Sequence, residues 1–102
     1  MDETVMLETL TEKVRAIVAD KQALGFDVMF DLGDAGVIHV AGDTAPMQIS
    51  NDKKDAQAVF VVSPEDFGSM MTGELQPMMA YMSGKLKVEG DLSRAMQVAS
   101  MF

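Results

Sequence analysis

Few side chains in this sequence are of the types that carry out acid–base or nucleophilic chemistry. The chain has a single histidine, His39, and no cysteine. Ile38 and Val40 flank this histidine in a strand-like stretch, so we expect its side chain on the face opposite the core, with no serine or metal-spaced acid beside it. The pattern predicts no catalytic residues, no cofactor and no metal site. We therefore expect a protein that is not an enzyme.

The methionines form a second group of residues with a chemical property of interest. Eleven of the 102 residues are methionine, and five of these lie in the segment 70–91. The side chain is unbranched and polarizable, so it fills irregular space in a core, which is the usual interpretation of apolar stripes at helical spacing. It also suits a cavity for ligands of variable shape. Gly73, Pro77 and Gly84 break this segment into short pieces that pack poorly, which favours a cavity.

The charge of the chain excludes one class of partner. Sixteen acidic and eight basic side chains give a net charge of -8, which repels the phosphates of nucleic acids. Residues 1–52 contain ten acids and three bases, whereas residues 53–102 contain six acids and five bases. Any membrane contact is therefore expected from the second half. Lys85 and Lys87 in that half share one face of a strand. They are expected to be solvated surface residues or, alternatively, to contact a phosphate or carboxylate headgroup.

Two elements in the first half follow directly from the spacing of apolar residues. Residues 3–24 repeat them at the period of a helix face, with Asp2 as the cap and Gly25 as the stop. From residue 26 to 32 the period changes to two, which predicts a half-buried strand whose solvent side carries Asp27, Met29 and Asp31. A hairpin then leads into a second strand over residues 37–41.

The remaining elements follow from turn and cap residues. A short third strand is predicted over residues 47–50, at an edge because Pro46 precedes it. Residues 58–62 are apolar on both faces, which predicts an interior strand. Helices over residues 64–72 and 77–82, a strand over 86–88 and a last helix capped by Asp91 follow. The last helix is expected to carry Leu92, Met96 and Ala99 on one face.

This order predicts an α+β fold in which one five-stranded, mostly antiparallel sheet is covered on one face by helices. Residues 1–102 are expected to form a single domain, since the composition shows no break and the length suits one core. The longest strictly apolar runs have five residues each, far short of the ~20 that span a bilayer as a helix. A cytoplasmic protein is the expectation.

The second half of the chain resembles the signature of the sterol carrier protein 2 (SCP-2) family. The resemblance is carried by Met71-Thr72-Gly73-x-Leu75-x-Pro77, then Ala80, then Gly84-Lys85-Leu86-Lys87-x-x-Gly90-Asp91 and Ala95-Met96. It is strongest over residues 52–96, and the first half matches in pattern more than in identity. The family has the same order of helices and strands as the one predicted from periodicity.

The resemblance implies a hydrophobic tunnel for lipid, between the sheet and the helices that follow the fourth strand, with the C-terminal segment near its opening. The residues that it implicates as tunnel walls are Phe67, Met70, Met71, Leu75, Met78, Met79, Met82, Leu86 and Met96, with Met101 and Phe102 near the mouth. The alternative for each is an ordinary core residue. The sequence alone does not separate walls from core.

The function implied by the resemblance is that of a lipid carrier, which sequesters a fatty acid, an acyl-CoA, a sterol-like molecule or a phospholipid without catalysis. The alternative is a non-catalytic accessory subunit of a lipid-modifying complex, which uses the same fold to bind a protein partner. A lipid or other long apolar ligand is thus the expected partner, with transient membrane contact and protein contact as further interactions.

Overall fold

Helices and strands follow one another in the predicted order. The computed structural model describes residues 3–101 and contains one five-stranded sheet and four α-helices. The elements are α1 (Glu3–Val18), β1 (Val28–Asp31), β2 (Val37–Ala41), β3 (Gln48–Ser50), β4 (Ala58–Val62), α2 (Pro64–Thr72), α3 (Pro77–Met82), β5 (Leu86–Gly90) and α4 (Leu92–Ala99).

The strands lie in the order β3-β2-β1-β4-β5. All neighbouring pairs are antiparallel except β1 and β4, which run parallel with Phe30 opposite Phe60. The short third strand lies at an edge, and the valine-rich fourth strand lies inside the sheet, so both placements predicted from the sequence are confirmed. The fold class is likewise the predicted α+β fold, with a mixed sheet.

The main core lies between the sheet and the four helices. Every second residue of each central strand faces it, as in the pairs Val28 and Phe30 of β1 or Ile38 and Val40 of β2. The Phe30 ring stacks on Phe60 with 5.4 Å between the centroids and contacts Phe67 of α2 at 4.8 Å. This row of rings joins the sheet to the helical layer.

The first helix ends earlier than the sequence predicts. Apolar spacing extends to Leu24, but α1 stops at Val18. A tertiary contact at the end of β2 excludes the predicted helix end near Gly25, because the Gly25 amide donates to the carbonyl of Gly42 with an N–O distance of 2.8 Å. The chain passes so close that a Cβ at Gly42 would lie 2.1 Å from the carbonyl oxygen of Phe26. Residues 24–26 are thus held against the sheet and cannot continue the helix.

The second face of the sheet is partly covered, which corrects the assignment of Met29 to the solvent side. Met29 is buried opposite His39, whose side chain is only 2% exposed. The Nε2 atom of His39 lies 3.5 Å from Oδ2 of Asp27 and 3.2 Å from the carbonyl oxygen of Asp55. The loop between β3 and β4 therefore folds over this face, and Gln57 accepts a hydrogen bond from the Asp27 amide at 2.7 Å. His39 lies opposite the main core, as predicted, but inside the protein.

Within residues 3–101, no helix is long and apolar enough to cross a membrane.

Candidate functional site

A cavity of about 400 Å³ lies between α3, α4 and the strands β4 and β5. It opens to solvent between the two helices. The described residues that line it come from the second half of the chain and are mostly apolar. They are Phe60, Gln76, Pro77, Met78, Tyr81, Leu86, Val88, Ala95, Met96, Ala99 and Ser100.

The floor of the cavity is formed by buried residues of the sheet, of the aromatic row and of α4. Phe60 and Leu86 are almost fully buried, and both project from strands that pair with each other. Phe60 is held in place by stacking on Phe30. Ala95 of α4 is also buried, and its small side chain leaves the space above the floor unfilled.

Helix α3 forms one side of the cavity and has one buried residue. It has six residues and begins at Pro77, whose fixed φ suits the first turn. Ala80 is its buried anchor, and the Lys85 amide donates to the Ala80 carbonyl at 2.9 Å, which joins the helix to β5. Met78 and Tyr81 are then half-exposed at the rim of the cavity. Short helices with a single buried residue open at low free-energy cost.

Helix α4 forms the other side, and Met96 and Ala99, which were predicted to share one of its faces, both line the cavity. Its buried residues are Ala95 and Val98, whereas Leu92 and Met96 are about half-exposed. The helix is fixed at its start by Asp91, which accepts from the Arg94 amide at 3.1 Å, and by the Arg94 guanidinium, 5.2 Å from the Phe26 ring centroid. In this orientation Ala95 and Val98 pack on the core, and Met96 lies at the rim of the cavity.

The described lining of the cavity is electrically neutral. Neither an acid nor a lysine, arginine or histidine lines it among residues 3–101. The guanidinium of Arg94 is turned toward Phe26 and lies 3.6 Å from the Asp91 carboxylate. Lys85 and Lys87 point to the opposite face of β5, where they border a separate groove. The cavity can enclose an apolar molecule, and its described walls contain no pair of residues that could act as general acid and general base.

The described part of the chain also shows no group of three or more metal-ligating side chains. The predicted wall residues are distributed over three environments. Met78, Leu86 and Met96 line the cavity. Phe67 and Met70 are buried in the core, and Met71, Leu75 and Met101 are partly buried against it. Met79 and Met82 are exposed outside the lining, and Phe102 lies outside the described residues. Which of these residues contact a ligand stays a prediction.

Several lining residues were not predicted from the sequence. Phe60 and Val88 could have been found, because the alternation of β4 and β5 directs them to the same face as Leu86. Tyr81 follows Met78 by three residues and therefore shares its side of α3. Gln76 and Ser100 carry no such signal, since an isolated polar residue at a helix end is ordinarily solvated.

Comparison with known sequences gives a consistent family assignment. The model of the SCP-2 sterol transfer family matches residues 6–102. Hydroxysteroid dehydrogenase-like protein 2 of Bos taurus is 41% identical over 46 residues, which are 45% of this chain and 11% of that protein. Sterol carrier protein 2 of Homo sapiens is 32% identical over 53 residues, or 52% of this chain and 10% of that protein. The chain therefore spans about a tenth of the length of these relatives.

Solved structures show the same fold. Sterol carrier protein 2 like 2 of Aedes aegypti superposes with a TM-score of 0.78 at 17% identity, over 96% of this chain and 97% of that chain. A palmitated form of SCP2L2 from Aedes aegypti gives 0.72 at 20% identity, over 92% and 91%. A chain described as UbiJ-SCP2 ubiquinone synthesis protein gives 0.68 at 12% identity, over 95% and 91%.

Proposed function

This chain belongs to the SCP-2 sterol transfer family, and we propose that it is a lipid carrier whose ligand occupies the cavity between α3 and α4. The single observation that carries the proposal is that cavity, with its apolar walls, buried floor and half-exposed rim. Its volume of about 400 Å³ lies within the range of small-molecule sites in proteins. Residues 1–102 then act as one lipid-binding domain.

The mechanism in this proposal is passive sequestration. Transfer of apolar surface from water contributes roughly 25 cal/mol per Å², so enclosing a long hydrocarbon supplies several kcal/mol before ordering costs. The methionine rim adapts to chains and rings of different outline. No covalent step is needed, in agreement with the neutral lining among the described residues.

Mass spectrometry of an organic extract of the purified protein, followed by titration with fluorescent acyl and sterol probes, tests the proposal. We expect extracted lipid or saturable binding of at least one probe. Met96→Glu should weaken binding because it places a carboxylate at the rim, whereas Met82→Glu should not, since Met82 is 75% exposed and does not line the cavity. If no probe binds saturably and no lipid is extracted, the carrier proposal is wrong.

Transient membrane contact is part of the proposal, and it would involve the exposed methionines of α3 together with the two lysines of β5, which project from the face of that strand opposite the cavity. The segment 75–88 contains no acid, and its only charged residues are Lys85 and Lys87. Exposed Met78, Met79 and Met82 of α3 add apolar surface beside the cavity mouth. Lys85→Glu with Lys87→Glu should slow lipid transfer to vesicles containing phosphatidylglycerol more than Lys13→Glu with Lys21→Glu, which makes the same charge change on the N-terminal side. If the two double variants slow transfer equally, Lys85 and Lys87 are not part of a membrane-contact surface.

The exposed methionines also favour a second candidate, an accessory subunit of a lipid-modifying complex. Met79 and Met82 lie outside the lining and are more exposed than ordinary apolar residues. A structural neighbour is described as a ubiquinone synthesis protein. Sedimentation and thermal unfolding of the isolated chain separate the two candidates. A stable monomer that contains lipid supports the carrier, whereas a chain that is stable only when co-expressed with a partner supports the subunit.

A further inference from the structure

The sheet ends on one side in a strand that has no outer neighbour among the described residues. The two edge strands are β3 and β5. β3 has three residues and follows Pro46 closely, and both features discourage further pairing. β5 has five residues, and its Lys87, Glu89 and Gly90 are exposed. Apart from the β4–β5 ladder, no described backbone hydrogen bond ends on these five residues.

The ladder determines which backbone groups of β5 point away from the sheet. The Asp91 amide donates to the Gln57 carbonyl at 2.8 Å, one residue beyond the last pair of the β4–β5 register. This bond makes the last pair a non-hydrogen-bonded one, and the two kinds of pair alternate along an antiparallel ladder. Lys87 and Glu89 therefore direct their amides and carbonyls to β4. The amide and carbonyl of Val88 point outward, where the described part of the chain offers no partner.

The side chains of β5 are complementary to a second copy of the same strand. If two copies pair antiparallel with Val88 opposite Val88, Lys87 of each copy lies opposite Glu89 of the other. These are non-hydrogen-bonded pairs, in which the Cα atoms approach to about 4.5 Å, and opposite charges at such positions stabilise the pairing. A centre one residue earlier or later would place Lys87 opposite Lys87 or Glu89 opposite Glu89, which is unfavourable. The charges thus favour a single register.

From this edge we infer that two copies of the chain associate through β5, so that their two sheets become one continuous sheet. Directly opposite residues of an antiparallel pair lie on the same face, so the helices and cavities of both copies share one face of that sheet. A strand of five residues buries much less surface than the roughly 1,200–2,000 Å² of a stable interface, and the dimer is therefore weak and reversible. This inference goes beyond the proposed function and does not require bound lipid.

Sedimentation equilibrium of the full chain, from micromolar to millimolar concentration, tests the inference. We expect a monomer–dimer equilibrium. Lys87→Glu and Glu89→Lys each place like charges in both cross-strand pairs, and each should weaken dimerisation roughly tenfold. An equimolar mixture of the two variants restores opposite charges in both pairs and should dimerise as tightly as the unmodified chain. Lys13→Glu makes the same charge change as Lys87→Glu on the exposed side of α1 and should have far less effect.

Amide hydrogen exchange gives a second measurement within the same strand. In the dimer the Val88 amide gains an acceptor, so its exchange should slow as the protein concentration rises. The amides of Lys87 and Glu89 already bond to β4 and should change little. A chain that stays monomeric at millimolar concentration overturns the inference. It is equally overturned if the single variants dimerise as tightly as the unmodified chain, or if their mixture dimerises no better than either variant alone, because the copies would then not meet through β5 in this register.

Discussion

Filling the cavity from α4 should raise stability and abolish binding at the same time. Ala99 lines the cavity one turn after Ala95 and is only partly buried. In Ala99→Phe the added ring points into the space that we assign to the ligand. A residue in an ordinary packed core would respond differently, because overpacking there costs about 1–3 kcal/mol.

The expected sizes follow from the buried area. Complete burial of a phenylalanine is worth about 1.5–3 kcal/mol, and the open mouth leaves part of the ring wet, so we expect a gain of about 1 kcal/mol in the free energy of unfolding of the lipid-free protein. The ring takes the space of roughly five methylene groups of a ligand, at about 0.8 kcal/mol each. The loss of binding free energy is therefore up to about 4 kcal/mol, or about a thousandfold in Kd.

Urea unfolding of delipidated protein and titration with a fluorescent lipid measure the two effects separately. Delipidation is needed because bound lipid would itself stabilise the folded state. Ala16→Phe makes the same substitution on the exposed side of α1 and should change neither quantity by much. A variant with lowered stability and unchanged affinity would show that the cavity is not the ligand space and would refute the reasoning.

Three further outcomes are expected. Phe67→Ala removes a ring 4.8 Å from Phe30 and should lower the free energy of unfolding in urea by about 3–5 kcal/mol, whereas exposed Met82→Ala should stay within about 0.5 kcal/mol. Gly73 and Gly90 have nearly equal φ values of +84° and +85°, so replacing either with alanine should lower the free energy of unfolding by about 1–2 kcal/mol from the backbone conformation alone. Gly90→Ala should cost clearly more in the same assay, because its Cβ would lie 2.4 Å from the Gln57 carbonyl oxygen; equal losses would contradict this close approach. Hydrogen exchange of residues 92–101 should slow when lipid binds, since α4 has eight residues and a half-exposed face; protection that is high and unchanged by lipid would make α4 a static wall.

Much of the fold could be predicted from the sequence because its signals are local. The helix α2 begins where Ser63, Pro64 and an acid at the third position coincide, and Ser63 Oγ accepts from the Asp66 amide as that pattern indicates. The boundaries of β2 and β4 agree with those predicted from the hairpin after β1 and from the apolar run 58–62. The predicted extension of α1 to Leu24 was wrong, because residues 24–26 lie against Gly42, and the helical spacing around Leu24 does not reveal this tertiary contact.

The cavity was less predictable than the fold for a physical reason. Met70 and Met82 are the same residue type in two adjacent short helices, yet the first is buried in the core and the second is three-quarters exposed. The difference in exposure depends on the orientation of α2 and α3 relative to the sheet, on either side of Gly73 and Pro77. Helices this short contain too few apolar residues for their spacing to predict which side is buried. The polar residues of the lining were not predicted for another reason, since Gln76 and Ser100 line one cavity only after α3 and α4 are placed beside β5.

The parallel pairing of β1 with β4 determines when this chain can become a stable domain during synthesis. β1 is the central strand, and one of its edges is complete only when residues 58–61 are available. Until then the apolar strand Val28–Asp31 presents an open edge of unpaired amides and carbonyls, the kind of edge on which chains aggregate. A fragment that ends within the β3–β4 loop should therefore be insoluble, while one that extends through β4 closes this edge. A division of this chain into two separately produced fragments should consequently fall outside residues 28–62, even though the loop between β3 and β4 is polar.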